Sequence, residues 1–321
     1  FDGQKNLWMT NTGVPEPISV KKADGEWKSF RVDGLLSEFP ALGEVLVTKD
    51  GYLWTYIPKG NGLFAMDVNG TIDNEEDDTY RLVSVEDENG KVITNEIFAF
   101  AEDKNGNIWL GTNQGILVFY SPSRLFTEGR LYAQEIIVPL GDGSGYPLLQ
   151  TQKVTCIEVD GANRKWIGTE NGGAFLVSEN GLEEIYHFNE SNSPLLSNAI
   201  TDIGVNGENG EVFFGTDEGM ISFRGTATEG ADNYTDVRVF PNPVREDYQG
   251  EIAITGLVAE STVKITDISG NLVYETESFG GQAVWDGRDF DGQRVATGVY
   301  LVFMANREGT RAFVTKILFI H

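Results

Sequence analysis

One sequence pattern repeats along the first two thirds of the chain, and this repetition limits the fold more than any other feature. Its clearest copy, residues 97–119, contains a short apolar strand, a turn of Asp, Asn and Gly, a second strand around Trp109, a tight turn and a third strand. Further copies occupy 154–177 and 200–223, and a looser copy occupies 44–67. Repeats of this size indicate one supersecondary unit used several times.

The repeats align on one aromatic position in their middle strand. The aligned residues are Trp8, Trp54, Trp109, Trp166 and Phe213, which lie 46 to 57 residues apart. Four-stranded blades of β-propellers usually run about 40–50 residues, so this spacing predicts propeller blades with loop insertions. We therefore predict an all-β protein whose residues 1–223 form a β-propeller, complete or partial.

The ends of the repeat region leave two arrangements open. The first repeat begins at its second strand and lacks an innermost strand, whereas the last repeat lacks a recognisable outermost strand. The two incomplete repeats lack different strands, so they cannot combine into one complete blade that closes a five-bladed ring. We expect that blades lie upstream of this sequence, and the alternative is a five-bladed ring closed by strands that the pattern does not reveal.

The remaining chain has a different character. Residues 224–236 are polar and without periodicity, which predicts a linker. Residues 237–321 contain about seven short strands in about 85 residues, separated by turn signals, which is typical of an immunoglobulin-like β-sandwich.

The composition limits the partners. The 24 basic and 49 acidic residues give a net charge of −25. Binding to phosphates needs clustered Lys and Arg, so we expect no nucleic-acid partner. No apolar run reaches the roughly 20 residues that span a bilayer, so no transmembrane segment is predicted.

Residues suited to nucleophilic or metal chemistry are scarce. Cys156, the one cysteine, lies in an apolar stretch and is predicted to be a buried core thiol. His187 lies in a strand-like segment and is expected to be a packed or edge histidine rather than a catalyst, and His321 is the last residue. We therefore assign no catalytic, cofactor-binding or metal-binding residue, and we expect no enzyme activity.

Acidic turns leave calcium as an unsupported alternative to the expectation of no cofactor. The run 73–78 is predicted to be a solvated loop between two outer strands of one blade. Asp286, Asp289 and Asp291 depart from the spacing of an EF-hand loop and are predicted to be turn residues. Asp103 and Asp160 recur at one repeat position, which also indicates turn chemistry.

Several motifs at the C-terminus resemble a known export module. The motifs are Phe240-Pro241-Asn242-Pro243, Asp267-Ile268-Ser269-Gly270, Gly298-Val299-Tyr300 and Lys316-Ile317-Leu318-Phe319-Ile320. In this order they resemble the C-terminal sorting domain of type IX secretion in Bacteroidetes. The stretch 285–300 also resembles the immunoglobulin-like modules of flagellar hook-capping proteins, and the repeats resemble the two-component regulator propeller family.

The pairing of these two modules, with the stretch 189–198 between blades, is similar to the PorZ-like surface components of the type IX secretion machinery. This resemblance implies an exported, non-catalytic binding protein at the cell surface, peripheral to the outer membrane. Its implied partners are secretion and sortase components, and possible ligands are lipopolysaccharide or another glycan. Loops 141–152 and 189–198 are the expected contact regions, because loops on a rigid scaffold often carry recognition.

Two other functions stay open. The chain could be type IX-secreted cargo, such as a glycan-active enzyme or a glycan-binding protein, with its site in the propeller. A cleft with paired carboxylates of perturbed pKa would indicate the enzyme. The third possibility, the sensor half of a hybrid two-component regulator, ranks last because a β-sandwich follows the propeller repeats.

Overall fold

The computed structural model describes residues 1–32, 34–37 and 40–320, and these are almost entirely β-structure. The one helix among them is the short α1 (Arg124–Thr127). The chain divides into two compact units, which are described separately. The first comprises Phe1–Val159, Lys165–Ile203 and Phe214–Ile221; the second comprises Asp160–Arg164, Gly204–Phe213 and the chain from Ser222 onward.

The first three repeats form antiparallel sheets whose strands follow the chain order. Blade 1 contains β1 (Leu7–Thr10), β2 (Ile18–Lys21) and β3 (Trp27–Phe30). Blade 2 contains β4 (Val45–Val47), β5 (Leu53–Tyr56), β6 (Leu63–Asp67) and β7 (Thr79–Val83). Blade 3 contains β8 (Ile97–Glu102), β9 (Ile108–Thr112), β10 (Gly115–Phe119) and β11 (Gln134–Glu135).

A two-stranded hairpin separates blade 3 from the last two repeats. It contains β12 (Ile137–Pro139) and β13 (Gly145–Pro147). Blade 4 contains β14 (Val154–Val159), β15 (Lys165–Thr169), β16 (Ala174–Val177) and β17 (Glu184–Phe188). Blade 5 contains β18 (Ile200–Asn206), β19 (Glu211–Thr216) and β20 (Gly219–Arg224).

These sheets confirm the predicted propeller blades. Blade 1 has three strands, and its aligned tryptophan, Trp8, lies on β1, which corresponds to the second strand of the complete blades. Blade 5 has three strands in the part of the chain that the structure describes. Both strand deficits expected from the sequence therefore appear in the sheets that the structure describes.

The repeated aromatic residue joins each blade to the next. Trp109 of blade 3 lies in one apolar cluster with Val154 and Ile157 of blade 4. Trp166 of blade 4 meets Phe214 of blade 5 edge to face, with ring centroids 5.3 Å apart. Burying such large side chains between successive sheets is a main source of stability, at about 25 cal/mol per Å² of apolar surface removed from water.

The turn before the tryptophan strand also repeats. Asp103 Oδ1 accepts hydrogen bonds from the backbone N–H groups of Asn105 and Asn107, both at 2.9 Å. Its Oδ2 accepts a hydrogen bond from Trp109 Nε1 at 3.0 Å. Asp160 Oδ1 receives two backbone N–H groups in the same way, so the hydrogen bonds confirm the predicted turn role of both aspartates.

The second unit contains the predicted β-sandwich. One sheet has the order β21 (Arg238–Phe240), β23 (Ile252–Thr255), β26 (Gln282–Trp285). The other has the order β22 (Val244–Arg245), β28 (Ala312–Ile320), β27 (Gly298–Ala305), β24 (Thr262–Thr266), β25 (Leu272–Glu277). Trp285 lies in the core between the sheets and meets Phe319 edge to face at 5.3 Å.

The Pro241-Asn242-Pro243 segment holds the last strand. Both X-Pro bonds in it, Phe240–Pro241 and Asn242–Pro243, are cis. The Asn242 amide donates to Lys316 O and accepts from Leu318 N, each at 3.0 Å. Val244 then pairs in parallel with Phe319. The side chain of Asn242 therefore substitutes for a neighbouring strand along part of β28.

The predicted linker, 224–236, is partly packed within the second unit. Ala227 and Thr228 are buried, and Tyr234 belongs to the core of the sandwich. A Cβ on Gly161 would lie 1.9 Å from Thr228 O, so the turn and this segment approach too closely for any side chain at Gly161.

Candidate functional site

The cysteine and the described histidine have structural roles. Cys156 is buried, and burial, the largest cause, raises the pKa of its thiol to about 12. His187 stacks on Phe175 with ring centroids 4.0 Å apart, and its Nε2 lies 2.7 Å from Gly172 O. His321 lies outside the described residues.

The acidic run 73–78 lies between β6 and β7, as predicted, and several of its side chains form ion pairs or hydrogen bonds with other residues of the first unit. Lys22 Nζ lies 3.1 Å from Asp73 Oδ2, and Lys28 Nζ lies 3.1 Å from Glu75 Oε1. Asp77 accepts a hydrogen bond from Thr71 Oγ1. Because these bridges join blade 1 to the loop of blade 2, the run contributes to the contact between the two blades.

The three aspartates of the sandwich are turn residues rather than a convergent cluster. Asp286 Oδ1 accepts from Arg288 N at 3.0 Å. Asp289 Oδ1 accepts from the backbone N–H groups of Asp291 and Gln293. Over the described ranges, no group of three His, Cys, Asp or Glu side chains is arranged to hold a metal ion.

The predicted contact loop 141–152 begins inside the hairpin of β12 and β13. Ile136 and Leu148, at its base, are buried in the apolar cluster of blades 3 and 4, and Leu148 N donates to Ile136 O at 2.8 Å. The hairpin exposes Leu140 and Tyr146 to solvent. The hairpin therefore exposes apolar side chains, while its base is held by buried contacts and a backbone hydrogen bond.

The second predicted contact loop, 189–198, is ordered by its own polar groups. Glu190 N donates to Asn198 Oδ1 at 3.0 Å, and Asn198 N donates to Glu190 Oε1 at 2.7 Å. Asn192 Nδ2 donates to His187 O at 2.9 Å. Such loops bind with a small entropic cost because their conformation is already fixed.

Three carboxylates that the sequence analysis did not single out lie close enough to interact. Glu158 is on the inner strand β14, Asp202 is on the inner strand β18, and Glu44 directly precedes the inner strand β4. We refer to them as the inner carboxylates. They come from three blades, so their proximity depends on how the blades of the first unit are arranged.

Burial and like charge change the titration of the inner carboxylates. Burial, assisted by the charges of Asp202 and Glu44, raises the pKa of Glu158 to about 7. Burial and the charge of Asp202 also raise the pKa of Glu44. A carboxyl group that titrates near neutrality satisfies half of the criterion that would indicate an enzyme.

The other half of that criterion is a cleft that contains such carboxylates. Two cavities of the first unit lie away from the inner carboxylates. One, of about 490 Å³, is lined by Glu86, Asp87, Leu125, Arg130 and Tyr132 among others. Another, of about 420 Å³, is lined largely by apolar residues that include Leu36, Ile57 and Leu82. Neither contains an inner carboxylate.

Comparisons with known proteins give three kinds of result. No curated protein matches the chain. Residues 91–114 match the model of the two-component regulator propeller family, and residues 245–309 match that of the FlgD immunoglobulin-like domain.

Among the described residues, no helix is long and apolar enough to cross a membrane.

Two Bacteroides thetaiotaomicron structures resemble the chain in fold. One is the extracellular domain of a protein assigned to a hybrid two-component system, with 15% identity and a TM-score of 0.49 over 99% of this chain and 54% of that one. The other is the extracellular domain of a protein assigned to a one-component system, with 16% identity and a TM-score of 0.48 over 95% and 38%. Likenesses this distant carry no functional argument.

A third structure is much more similar. It is PorZ of Porphyromonas gingivalis, described as an essential bacterial surface component of the type IX secretion system. The identity is 31% and the TM-score 0.68, which confirms the predicted resemblance. This chain is thus similar to PorZ along its entire length, and it spans 44% of the PorZ chain.

Proposed function

We propose that this chain is part of a non-catalytic surface component of a type IX secretion and attachment machinery. The observation that carries the proposal is the similarity to PorZ at 31% identity over 100% of the chain. In this proposal residues 1–223 are a binding propeller, 224–236 a connecting segment, and 237–321 a sorting-type module that exports the protein or docks it to the machinery.

The partners in this proposal are components of the secretion and sortase apparatus, and the protein is peripheral to the outer membrane. It acts beside the sortase that attaches cargo to lipopolysaccharide, and lipopolysaccharide or another glycan is its candidate ligand. The hairpin of β12 and β13 and the loop 189–198 are the proposed contact regions. They combine exposed apolar side chains, such as Leu140, with a fixed backbone.

Deletion of the gene in its own host tests this function. The readout is the fate of unrelated proteins that carry the same type of C-terminal module. If the proposal is right, they accumulate in the periplasm with that module uncleaved, and a plasmid copy of the gene restores their maturation. If they mature and attach normally in the deletion strain, the protein is cargo and the proposal fails.

A further inference from the structure

The outermost strand of blade 2 has a free edge. β7 is the last strand in the order β4-β5-β6-β7, and its outer edge pairs with no strand among the described residues. Leu82, near the end of β7, is 48% exposed. A free strand edge carries backbone N–H and C=O groups at regular intervals, and these groups can pair with another extended chain.

The two faces of β7 are directed toward different neighbouring blades. The strand pairing sets Leu82 opposite Phe64 and Val83 opposite Leu63. Phe64 lies in the apolar cluster that contains Trp8 of blade 1, whereas Leu63 and Val83 lie in the cluster that blades 2 and 3 share. Because successive side chains of a strand point to opposite faces, one face of β7 is on the side of blade 1 and the other is on the side of blade 3.

An apolar cavity of about 420 Å³ lies on the side of blade 1. Leu36, Ile57 and Leu82 line it, and the first two pack against the same cluster as Phe64. Among the described residues of its lining, Lys59 carries the only charge. An aliphatic side chain that enters this cavity is removed from water and gains hydrophobic free energy.

An acidic cavity of about 490 Å³ lies on the side of blade 3. Val83 and Leu125, from the cluster that blades 2 and 3 share, belong to its lining. The lining also contains the three carboxylates of residues 86–88, and Arg130 is its one cation among the described residues. A Lys or Arg side chain suits this cavity, because its stem is apolar and its head is positively charged.

Hydrogen bonds fix the walls of the acidic cavity. Ala133 N donates to Glu86 O at 2.7 Å. Asp87 Oδ1 accepts from the backbone N–H groups of Asn89 and Lys91, at 2.9 and 3.0 Å. A site that is already formed loses less conformational entropy when a ligand binds.

We propose that the edge of β7 is a docking site for an extended segment of a partner protein, which adds to blade 2 as a fifth strand. Leu82 lines both cavities, so they meet at this edge. The side chains of an added strand alternate between the two faces of the sheet, and the two cavities receive them. The segment therefore alternates aliphatic residues, for the side of blade 1, with Lys or Arg, for the side of blade 3.

Charge favours a basic partner over a second copy of this chain. The chain has a net charge of −25, so two copies repel each other. A basic segment is instead attracted to the carboxylates at 86–88. This proposal goes beyond the proposed function, since peptide binding by the purified chain does not depend on any role in secretion.

Selection of peptides on the purified chain 1–321 tests the docking site. A phage-displayed library of random peptides of about 12 residues is the probe, and the selected peptides are then synthesised and titrated by fluorescence anisotropy. We expect the selected sequences to alternate aliphatic and basic residues. Glu88→Lys and Leu82→Asn should each raise their dissociation constants at least ~10-fold.

The controls are Glu218→Lys and Leu182→Asn, which make the same changes at exposed positions of blades 5 and 4. Both should leave the affinity within about twofold of wild type. A selection that yields no alternating basic sequence would overturn the proposal. Peptides that bind Glu88→Lys and Leu82→Asn as tightly as wild type would do the same.

Amide hydrogen exchange distinguishes strand addition from other kinds of peptide binding. With the chain saturated by a selected peptide, the amide groups of β7 should exchange at least ~10-fold more slowly. Those of β17, the outermost strand of blade 4, should exchange at an unchanged rate. Unchanged exchange in β7 at saturation would contradict the addition of a strand at this edge.

Discussion

Two clusters of buried charged residues in the first unit differ in whether their charges are compensated by opposite charges. In one, Lys165 is fully buried, its Nζ lies 3.4 Å from Asp103 Oδ2, and it donates to Glu179 O at 2.7 Å. In the other, Glu158 is surrounded by the like charges of Asp202 and Glu44. A buried charge is tolerated when opposite charge and hydrogen bonds compensate for lost hydration, and otherwise it shifts its pKa.

The two clusters therefore respond to pH in opposite directions. Burial alone would raise the pKa of Asp103, but the hydrogen bonds from Asn107 and Trp109 and the charge of Lys165 outweigh it and lower the pKa. Its contribution to stability is thus lost as the pH falls through the acid range. The raised pKa of Glu158 has the opposite consequence, because its contribution is lost as the pH rises. The first cluster is an ionic lock between blades 3 and 4, and the second is a source of strain at neutral pH.

Among substitutions in the two clusters, Lys165→Ala should change the free energy of unfolding most. The substitution leaves the carboxylate of Asp103 buried without its cation, so we expect the free energy of unfolding to fall by about 3–5 kcal/mol. Lys153→Ala is the control, because Lys153 pairs with Glu170 at the surface and should contribute less than about 1 kcal/mol. Urea unfolding at pH 7 measures both. Similar losses for the two variants would contradict the idea of an ionic lock.

A smaller, pH-dependent effect is expected for Glu158→Gln. The contribution of Glu158 to the stability of the wild-type protein should fall as the pH rises from about 4.5 to about 7, because the folded state keeps a proton on this carboxyl group that the unfolded state releases. The amide that replaces the carboxyl group carries no charge, so the variant should be more stable than wild type by roughly 1–3 kcal/mol at pH 8 and equal to it near pH 4. Unfolding curves at both pH values provide the measurement. A variant that is less stable at pH 8 would show that Glu158 has a compensating partner.

The smallest effect concerns blade 2. There Thr48 occupies the repeat position that Asp103 has in blade 3. Thr48 Oγ1 accepts from Tyr52 N at 3.1 Å, as Asp103 does from Asn107 N, but Trp54 Nε1 is buried without a hydrogen-bond partner among the described residues. Thr48→Asp supplies the second acceptor. We expect a gain of about 1 kcal/mol at pH 7 that disappears below about pH 4. Thr48→Ala, which removes the existing acceptor, should lose a similar amount; a destabilised Thr48→Asp would mean that the indole cannot be reached.

Features within one repeat could be predicted from the sequence, and features between repeats could not. Trp109, its turn aspartate and the strands around it recur at a fixed offset, so periodicity reveals the blade and the role of Asp103. The motifs around Asn242 and Val299 likewise indicate the sandwich before its topology is known. The incomplete first and last blades also follow from counting strands.

The inner carboxylates and the buried Lys165 have no such local signal. Glu158 occupies a different offset in its repeat from Glu44 and Asp202, and the three carboxylates approach one another only through the arrangement of blades. Lys165 stands next to Trp166 in a sequence where any charged residue would be expected at the surface. Its burial follows from the position of Asp103 one blade earlier and from the ring of Trp109, whose centroid lies 4.4 Å from Nζ.

In the proposed function the protein binds its partners through its propeller loops and carries out no carboxylate chemistry. The most direct test is to complement the deletion strain with Glu158→Gln and, separately, with the hairpin double variant Leu140→Asp/Tyr146→Ala. Surface attachment of a reporter that carries the same type of C-terminal module is measured in both strains. We expect Glu158→Gln to restore attachment fully and the hairpin variant, secreted at normal levels, to fail. Full restoration by the hairpin variant with loss of attachment in Glu158→Gln would contradict the account and indicate an enzyme.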